Sequence, residues 1–144
     1  MRRLLAAKDL SADQWNKCAN PVHRPYNPFL DHAFFSAVEE SGSASQETGW
    51  RAHHLVLTEN DIAVAIFPLY LKSHSQGEYI FDHIWADAFH RAGGDYYPKL
   101  LSATPFTPAT GERLLTSAID PTHAAEQARA LLRASESILV QNNI

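Results

Sequence analysis

The fold is organised by the stretch Asp61–Asp87, which reads D-I-A-V-A-I-F-P-L-Y-L-K-S-H-S-Q-G-E-Y-I-F-D-H-I-W-A-D. Its first part, Ile62–Leu71, is apolar at both odd and even positions. Because a half-exposed strand alternates apolar and polar residues, this short run predicts a strand covered on both faces. Pro68 lies inside the run and cannot donate a ladder hydrogen bond, which predicts a bulge or an unpaired edge at that point.

The predicted strand ends in ionisable and hydroxyl side chains. Lys72, His74, Ser75 and Glu78 follow the apolar run within a few residues, and Gly77 allows the backbone to turn sharply there. Such groups at a strand end are a common way to build a site. A histidine serves as a general base near neutral pH, and a glutamate does so when burial raises its pKa. A solvated turn with an incidental salt bridge explains the same residues without a site.

The N-terminal part of the sequence predicts two helices. Ser11 is placed as the N-cap of a helix over Leu10–Ala19, with a glutamine completing a capping box. A second helix is predicted to begin with Asn27 as its cap and Pro28 as its first residue, with Asp31 in its first turn.

Strands and helices alternate in the remaining sequence. Trp50–Thr58 predicts a strand that pairs with Ile62–Leu71 in an antiparallel hairpin, through a tight turn at Glu59–Asp61. The fold class is therefore α/β or α+β with a mixed sheet, in a single domain that spans residues 1–144. The later predicted elements are a short strand over Glu78–Asp82, a helix from Ile84 to Ala92, a strand over Tyr96–Thr104, a helix starting at Asp120–Pro121, and an apolar run at Ile138–Val140 interpreted as a truncated strand or a tail.

Composition and charge exclude several classes of function. The formal net charge is -4, which argues against a nucleic-acid partner or an anionic membrane surface. No apolar segment approaches the length of a membrane span. The single cysteine, Cys18, cannot form an internal disulfide, which fits a reducing cytoplasm. With no activating neighbour in sequence, Cys18 is predicted to be a buried, inert thiol.

Two aspartates and a tyrosine–lysine pair are further candidates for a site. Asp82 and Asp87 adjoin aromatic or apolar residues, so each carboxylate needs hydrogen-bond donors or a shifted pKa, which makes both candidates for holding an amine. Capping of the following helix is the competing interpretation for Asp82. Tyr97 and Lys99 offer a phenol and an ammonium ahead of an apolar run, either as pocket residues or as packing with polar tips.

A metal site is not predicted. His83, Asp87 and His90 have the spacing of one helix face, which two histidines and a carboxylate could use to bind a metal. No H-E-x-x-H or cysteine pair supports that interpretation, and a polar helix face explains the same spacing. The sequence also lacks dinucleotide, Walker and nucleophile-elbow motifs, and it lacks the glycine-rich helix start that cradles the pyrophosphate of an acyl-CoA.

Several long motifs resemble one family. They are N-P-F-L-D-H-A-F-F-S-A-V-E-E-S-G, F-P-L-Y-L-K-S-H-S-Q-G-E-Y-I-F-D, W-A-D-A-F-H-R-A-G and Y-Y-P-K-L-L-S-A-T-P-F-T-P-A-T-G-E-R-L-L, in the family's order from Asn27 to Leu115. They are similar to predicted bacterial N-acyltransferases of the GNAT-like superfamily, related to the Fem-type enzymes that add amino acids to peptidoglycan precursors. The resemblance implies a GNAT-like, largely antiparallel sheet flanked by helices. It also implies two lobes in the family, of which this chain looks like the first, truncated half.

The resemblance implies transfer of an acyl group from an activated donor, an acyl-CoA or an aminoacyl ester, to an amine. The implied partners are these small molecules and a second lobe or a second copy of the chain. A non-catalytic domain that recognises a cell-wall precursor or a partner lobe is the alternative. The expected site residues are Glu78, Asp82 and His74 for catalysis, and Lys72, Ser75, Asp87, Tyr97 and Lys99 for substrate binding.

Overall fold

Two antiparallel β-sheets and four α-helices form the fold in the computed structural model, which describes residues 1–76, 81–142 and 144. This confirms the predicted combination of helices with a largely antiparallel sheet, divided here into two sheets. The strands are β1 (Arg2–Leu4), β2 (Trp50–Ala52), β3 (His54–Glu59), β4 (Ile62–Phe67), β5 (Tyr70–Lys72), β6 (Lys99–Leu101) and β7 (Leu115–Thr116). The helices are α1 (Ala12–Ala19), α2 (His32–Glu40), α3 (His83–Arg91) and α4 (Pro121–Asn142). One sheet has the strand order β1-β3-β4-β7 and the other has the order β2-β5-β6.

The predicted hairpin forms, but both of its strands cross from one sheet to the other. Pro68 separates β4 from β5, as its missing N–H requires, so the predicted single strand Ile62–Leu71 is two strands. His53 separates β2 from β3 at the same level, and its backbone N–H donates to Leu69 O at 2.8 Å. From Ala63 to Lys72 no residue is exposed, which confirms that this segment is covered on both faces.

The tight turn between β3 and β4 has the left-handed backbone that a two-residue hairpin turn requires. Asn60 and Asp61 have φ values of 49° and 63°. Asparagine and aspartate are the non-glycine residues that adopt this conformation most readily. The predicted turn is therefore confirmed.

The first predicted helix is confirmed with a later start. Ser11 caps α1 by accepting a hydrogen bond from Gln14 N at 3.4 Å. The predicted capping box is only half formed, because the Gln14 side chain instead accepts from Ala63 N at 3.0 Å. Gln14 thus fixes α1 to β4 rather than closing its own helix end.

The second predicted helix is two elements, so the prediction of one continuous helix is wrong. Asn27 caps a single 3-10 turn over Pro28–Leu30, accepting from Phe29 N at 3.0 Å. Asp31 then caps α2 by accepting from Ala33 N at 2.8 Å. Asp31 has the extended backbone of an N-cap, which interrupts the single helix that was predicted to begin at Pro28.

The prediction of a truncated strand or tail at Ile138–Val140 is also wrong, because α4 continues through these residues. Leu131 and Ile138, two turns apart on α4, are both buried in a cluster with Leu55 and Phe67 of the first sheet. This contact stabilises the helix at residues whose local composition favoured a strand. No helix in the described part of the chain is long and apolar enough to cross a membrane.

The main core packs α1 and α2 against the two sheets. Trp15, Phe35, Val56, Ile66 and Tyr70 are each no more than 1% exposed. Cys18 belongs to the same cluster, and burial raises the pKa of its thiol to about 12, which confirms the predicted buried thiol. This core holds the β2-β5-β6 sheet in place, and the candidate site lies on that sheet.

Candidate functional site

Three residues lie abreast across the second sheet. Trp50 of β2 is paired with Lys72 of β5, and Lys72 is paired with Lys99 of β6. Directly opposite residues in an antiparallel ladder direct their side chains to the same face, so the indole and both ammonium groups share one face. Lys72 has no exposed surface, and its Nζ lies 3.9 Å from the centroid of the Trp50 ring, within cation–π distance.

Asp82, just before α3, is the centre of a polar cluster beside this row. Its Oδ1 accepts a hydrogen bond from the Tyr97 hydroxyl at 2.6 Å, and its Oδ2 accepts from Lys99 Nζ. Lys99 Nζ also donates to Tyr96 Oη at 2.9 Å and lies 4.0 Å from the Tyr96 ring centroid. Asp82 thus receives one phenol and one ammonium, and the second phenol, that of Tyr96, accepts from the same ammonium.

Ser75 extends the cluster on its other side. The Tyr97 oxygen lies 2.6 Å from Ser75 Oγ and 2.6 Å from Asp82 Oδ1, but a phenol has one hydrogen to donate. An ionised carboxylate only accepts, so Tyr97 donates to Asp82 and the Ser75 hydroxyl donates to the phenol oxygen. Ser75, which is 6% exposed, is therefore the first donor of a short hydrogen-bond chain.

The cluster holds Asp82 in its ionised form. Partial burial acts to raise the pKa of Asp82, but the hydrogen bonds from Lys99 and Tyr97 and the positive charge of Lys99 outweigh it and hold the pKa well below its usual range. The pKa of Tyr97 is raised by burial and by its hydrogen bond to Asp82. Burial acts to lower the pKa of Lys99, yet its bonds to Asp82 and Tyr96 raise it. Near neutral pH the cluster is a carboxylate paired with an ammonium.

A cavity of about 300 Å³ opens beside the cluster. Ser75, Asp82, Tyr96 and Lys99 supply its polar wall together with two threonines. The remainder of its lining is apolar, and its volume is at the lower end of the range for small-molecule sites. The apolar and threonine lining residues are Trp50, Leu101, Ala103, Thr104, Phe106, Thr107 and Pro108.

The structure brings together most of the site residues that the sequence suggested. The hydrogen-bonded cluster is formed by Ser75, Asp82, Tyr97 and Lys99. Lys72, which is paired with Lys99 across the ladder, lies over the Trp50 ring. They meet because the end of β5 and the beginning of β6 are adjacent in an antiparallel ladder.

Two other candidates lie away from the cavity lining, and one is outside the described residues. The His74 ring packs on Gly49, where an added Cβ would lie 2.9 Å from ring atoms and φ is +79°, so only glycine fits there. His74 Nδ1 accepts from Gln76 N at 3.3 Å. Asp87 is an exposed residue of α3. The predicted catalytic Glu78 lies outside the described residues, and the predicted roles of all three stay predictions.

Sequence reasoning missed Trp50, Thr104 and Phe106 as cavity residues. Trp50 opens a strand, Thr104 is the last residue of the predicted strand Tyr96–Thr104, and Phe106 follows a proline outside any predicted element. No local signal separates such residues from ordinary core or loop positions. Across residues 1–76, 81–142 and 144, no group of three His, Cys, Asp or Glu side chains is placed to hold a metal ion.

A second buried polar network was also missed. Glu39 of α2 accepts from His54 Nε2 at 2.8 Å, Tyr70 Oη at 2.7 Å and Ala7 N at 2.7 Å. His54 Nδ1 accepts from Leu69 N at 3.1 Å, so the hydrogen that faces Glu39 is the one on Nε2. Burial acts to raise the pKa of Glu39, but these donors, His54 above all, lower it.

This network fixes helix α2 to the strands behind the candidate site. Tyr70 packs edge-on against Trp50, with ring centroids 5.2 Å apart. Glu39 also lines a separate cavity of about 250 Å³ that shares Trp50 as a wall. Trp50 is thus held between the polar network and the Asp82 cluster.

A family model named FemAB-like, described as peptidoglycan biosynthesis/recognition, matches residues 6–144. No curated protein and no solved structure matches the chain significantly.

Proposed function

This chain belongs to the FemAB-like family, and from that premise we propose that it takes part in transferring an acyl group from an activated donor to an amine. The family's role in peptidoglycan biosynthesis or recognition makes an amine of a peptidoglycan precursor the proposed acceptor. The GNAT-like character of the fold, and the choice between an acyl-CoA and an aminoacyl ester as donor, are parts of the same proposal.

The observation that carries the proposal is the ionised Asp82 at the polar wall of the 300 Å³ cavity. A carboxylate held ionised is suited to bind an ammonium, and Asp82 already accepts from Lys99 in this way. Its low pKa makes it a poor proton acceptor, because an efficient general base has a pKa near the working pH. We therefore assign Asp82 to holding the acceptor amine rather than to deprotonating it.

In the proposed reaction the acceptor nitrogen attacks the donor carbonyl carbon, a C–N bond forms, and the C–S or C–O bond to the leaving group breaks. Before the attack the bound ammonium gives one proton to a base, for which Glu78 is proposed on sequence grounds and His74 is the other candidate, and after it the nitrogen gives a second proton to the leaving thiolate or alkoxide. Tyr97 is the proposed positioning residue, since its hydrogen bond fixes the orientation of Asp82.

Recognition without catalysis is the second candidate function. It is favoured by the state of Asp82, whose two oxygens accept one hydrogen bond each within the protein and keep lone pairs for a ligand N–H. Its low pKa makes it a poor proton acceptor, which suits binding without catalysis. The family description includes recognition as well as biosynthesis.

Transfer can be tested with the purified chain, a muropeptide that carries a free amine, and either an acyl-CoA or an aminoacyl-tRNA. Mass spectrometry should show the acceptor gaining the acyl group, and the Asp82→Asn variant should lose at least tenfold in kcat/KM. The matched control is Asp13→Asn, since Asp13 is exposed on α1. Absence of product with every donor, together with retained muropeptide binding, would replace transfer by recognition.

A second lobe or a second copy of the chain, implied by the resemblance, is also part of the proposal. It is supported by α3, which has no buried residue and carries Ile84 and Trp85 at 82% and 71% exposure. A clean monomer by size-exclusion chromatography would count against self-association. A complex with a separately expressed lobe would support the two-lobe arrangement.

A further inference from the structure

Strand β6 lies at one edge of its sheet, beside the candidate site. The strand order β2-β5-β6 gives β6 a single strand neighbour, β5, in the described part of the chain. An edge strand presents backbone N–H and C=O groups to whatever adds a further strand. Lys99 and Leu101 of β6 also line the 300 Å³ cavity, so this edge and the cavity share residues.

Hydrogen bonds next to β5 show which side each of its residues faces. In an antiparallel ladder, both backbone groups of one residue point to the same side, and successive residues point to opposite sides. Ser73 N donates to Gly49 O at 3.3 Å, and Leu69 O accepts from His53 N at 2.8 Å. Residues 69, 71 and 73 therefore face β2, and residues 70 and 72 face β6.

The same alternation shows which β6 residue faces the open side. Tyr70 and Lys72, which face β6, are paired with Leu101 and Lys99. Those two β6 residues therefore exchange their backbone hydrogen bonds with β5, and Leu100 between them directs its N–H and C=O away from the sheet. Among the described residues none is hydrogen-bonded to these two groups of Leu100, which is partly exposed.

The side chains of β6 alternate between the two faces of the sheet. Lys99 and Leu101 lie on the cavity face, whereas Leu100 packs against the second core cluster. In a peptide strand paired with Leu100, the residues next to the pairing one would lie opposite Lys99 and Leu101, with their side chains on the cavity face. Neighbouring strands are about 4.8 Å apart, a distance that a lysine side chain spans.

The cavity indicates which kind of chain would lie along this edge. Its volume of about 300 Å³ is at the lower end for a binding site, so one side chain fits in it and the backbone of a peptide would lie outside. Asp82 at its polar wall keeps lone pairs for a ligand N–H, because each of its oxygens accepts one hydrogen bond within the protein. A carboxylate there complements a side chain that carries an ammonium.

We propose that an extended peptide binds as a further strand beside β6, with one residue exchanging backbone hydrogen bonds with Leu100 and an adjacent side chain carrying its amine to Asp82. The inference rests on the proposed function, because it states how the peptide part of the acceptor is held while Asp82 holds its amine. Strand addition of this kind obtains affinity from the main chain and specificity from the side chain that enters a pocket.

Hydrogen exchange of backbone N–H groups, followed by NMR, tests the proposal directly. In the free protein Leu100 N–H should exchange fast, whereas the N–H groups of Lys99 and Leu101 are bonded to β5 and serve as internal references. Saturation with the peptide acetyl-Ala-Lys-Ala-amide should slow exchange at Leu100 by about tenfold or more and leave the references unchanged. Unchanged exchange at Leu100 up to the solubility limit of the peptide would overturn the proposal.

The same measurement identifies other occupants of the edge. Protection of Leu100 that rises with protein concentration in the absence of peptide would assign the edge to a second copy of the chain. Protection by a separately expressed second lobe would assign it to that lobe. Either result would overturn the proposal of a peptide site.

Methylated peptides separate backbone pairing from binding of the side chain. When the lysine of the probe faces the cavity, its own backbone N–H points away from β6, and an alanine N–H donates to Leu100 O. Methylation of that alanine nitrogen should weaken binding by roughly two- to tenfold, the loss of one neutral hydrogen bond. Methylation of the lysine backbone nitrogen is the matched control. Weakening by the lysine methyl group alone, or equally by methylation at each position, would overturn the pairing.

A peptide with norleucine in place of lysine tests the contact with Asp82. Norleucine has no amine, so this peptide should bind equally to the wild type and to Asp82→Asn, whereas the lysine peptide should bind the wild type more tightly. If Asp82→Asn weakens the binding of both peptides to the same extent, the amine is not held by Asp82 and the proposal is overturned.

Proline variants test the open edge from the protein side. Proline is tolerated on an edge strand where its missing N–H would face solvent. Leu100→Pro should bind the peptide roughly two- to tenfold more weakly than Leu100→Ala, which loses the same side chain but keeps the N–H. Leu101→Pro removes a bond to β5 and should lower the melting temperature more than Leu100→Pro does. Equal melting temperatures would contradict the assigned register, and the methylated peptides still decide should Leu100→Pro not fold.

Peptide binding and acyl transfer can fail independently. Peptide-dependent protection of Leu100 without transfer to any acceptor would support this inference and favour recognition over catalysis. Transfer to a muropeptide that Leu100→Pro reduces no more than Leu100→Ala would support the proposed function and overturn this inference.

Discussion

Tyr97 donates a 2.6 Å hydrogen bond to Asp82, although helix α3 separates the two residues along the chain. The contact joins the segment just before β6 to the start of α3 and places a carboxylate beside the cavity. Ser75 lies within hydrogen-bond distance of the same phenol, so three segments of the chain meet at one oxygen.

The first prediction concerns Asp82 and pH. Its pKa in the folded protein is below the ordinary value of about 4, so its stabilising effect is present above pH ~4 and is lost as the pH falls towards the folded-state pKa. Asp82→Asn should lower the free energy of unfolding by about 1 kcal/mol at pH 7, discounted for partial exposure. Urea unfolding at pH 7 and pH 3 should show this difference narrowing in acid. A constant difference would contradict the assigned pKa direction.

The second prediction separates the Tyr97 hydroxyl from its ring. Tyr97→Phe should reduce acyl transfer or precursor binding about tenfold, with a loss of stability near 1 kcal/mol, because Asp82 loses one of its donors. Tyr26→Phe is the control, since Tyr26 makes the same kind of bond, to Asp31 at 3.0 Å, at an exposed site. Activity assays and thermal unfolding of both variants decide the matter. Equal losses of activity would remove Tyr97 from the site.

The third prediction tests the buried carboxylate of Glu39. Glu39→Gln should cost about 3 kcal/mol, because an amide N–H would face one of three donors that need an acceptor. The neighbouring Glu40→Gln should change stability by no more than about 0.5 kcal/mol. Glu40 is exposed, and its only ion pair among the described residues is a surface one, with Glu40 Oε1 3.7 Å from Lys8 Nζ. Chemical denaturation measures both.

The pH dependence of Glu39 has the same sign as that of Asp82. The folded-state pKa of Glu39 is lowered, so its contribution is present above the ordinary value of about 4 and is lost as the pH falls below it. The difference between wild type and Glu39→Gln should therefore shrink in acid. A difference that grows in acid would mean that Glu39 is protonated in the native state.

The fourth prediction concerns the single thiol. Burial raises the pKa of Cys18 to about 12, so at pH 8 only about one molecule in ten thousand carries the reactive thiolate. Alkylation by iodoacetamide at pH 8 should be slow in the native protein and rapid in 6 M guanidinium. Mass spectrometry over time provides the measurement. Fast labelling of the native protein would show that Cys18 is not buried between α1 and β4.

The fifth prediction distinguishes the helix at Ile138–Val140 from a strand or a tail. Ile138→Ala should cost about 2–4 kcal/mol, because Ile138 is 7% exposed and packs with Leu131 in the second core cluster. Val140→Ala should change stability by less than about 0.5 kcal/mol, since Val140 is 82% exposed. Similar small effects at both positions would indicate a tail.

Local sequence signals accounted for the fold where one residue decides the conformation. Ser11 as a cap, Pro68 as a strand interruption and the Asn60–Asp61 turn all follow from properties of a few neighbouring atoms. Local signals gave a wrong prediction at Asp31, which ends the 3-10 turn and caps the next helix. They also gave a wrong prediction at Ile138, whose helical conformation depends on a contact with the first sheet.

The candidate site also has a part that the sequence indicated and a part that only the tertiary structure determined. The sequence alone indicated Ser75, Asp82, Tyr97 and Lys99, because polar groups beside buried strands have to be paired. Only the tertiary structure placed Asp82 against Tyr97 and Lys99, and brought Trp50 and Thr104 into the lining of one cavity, because these neighbours come from separate strands and loops. Pairing across an antiparallel ladder depends on register, and register is a property of the assembled sheet rather than of any single stretch of sequence.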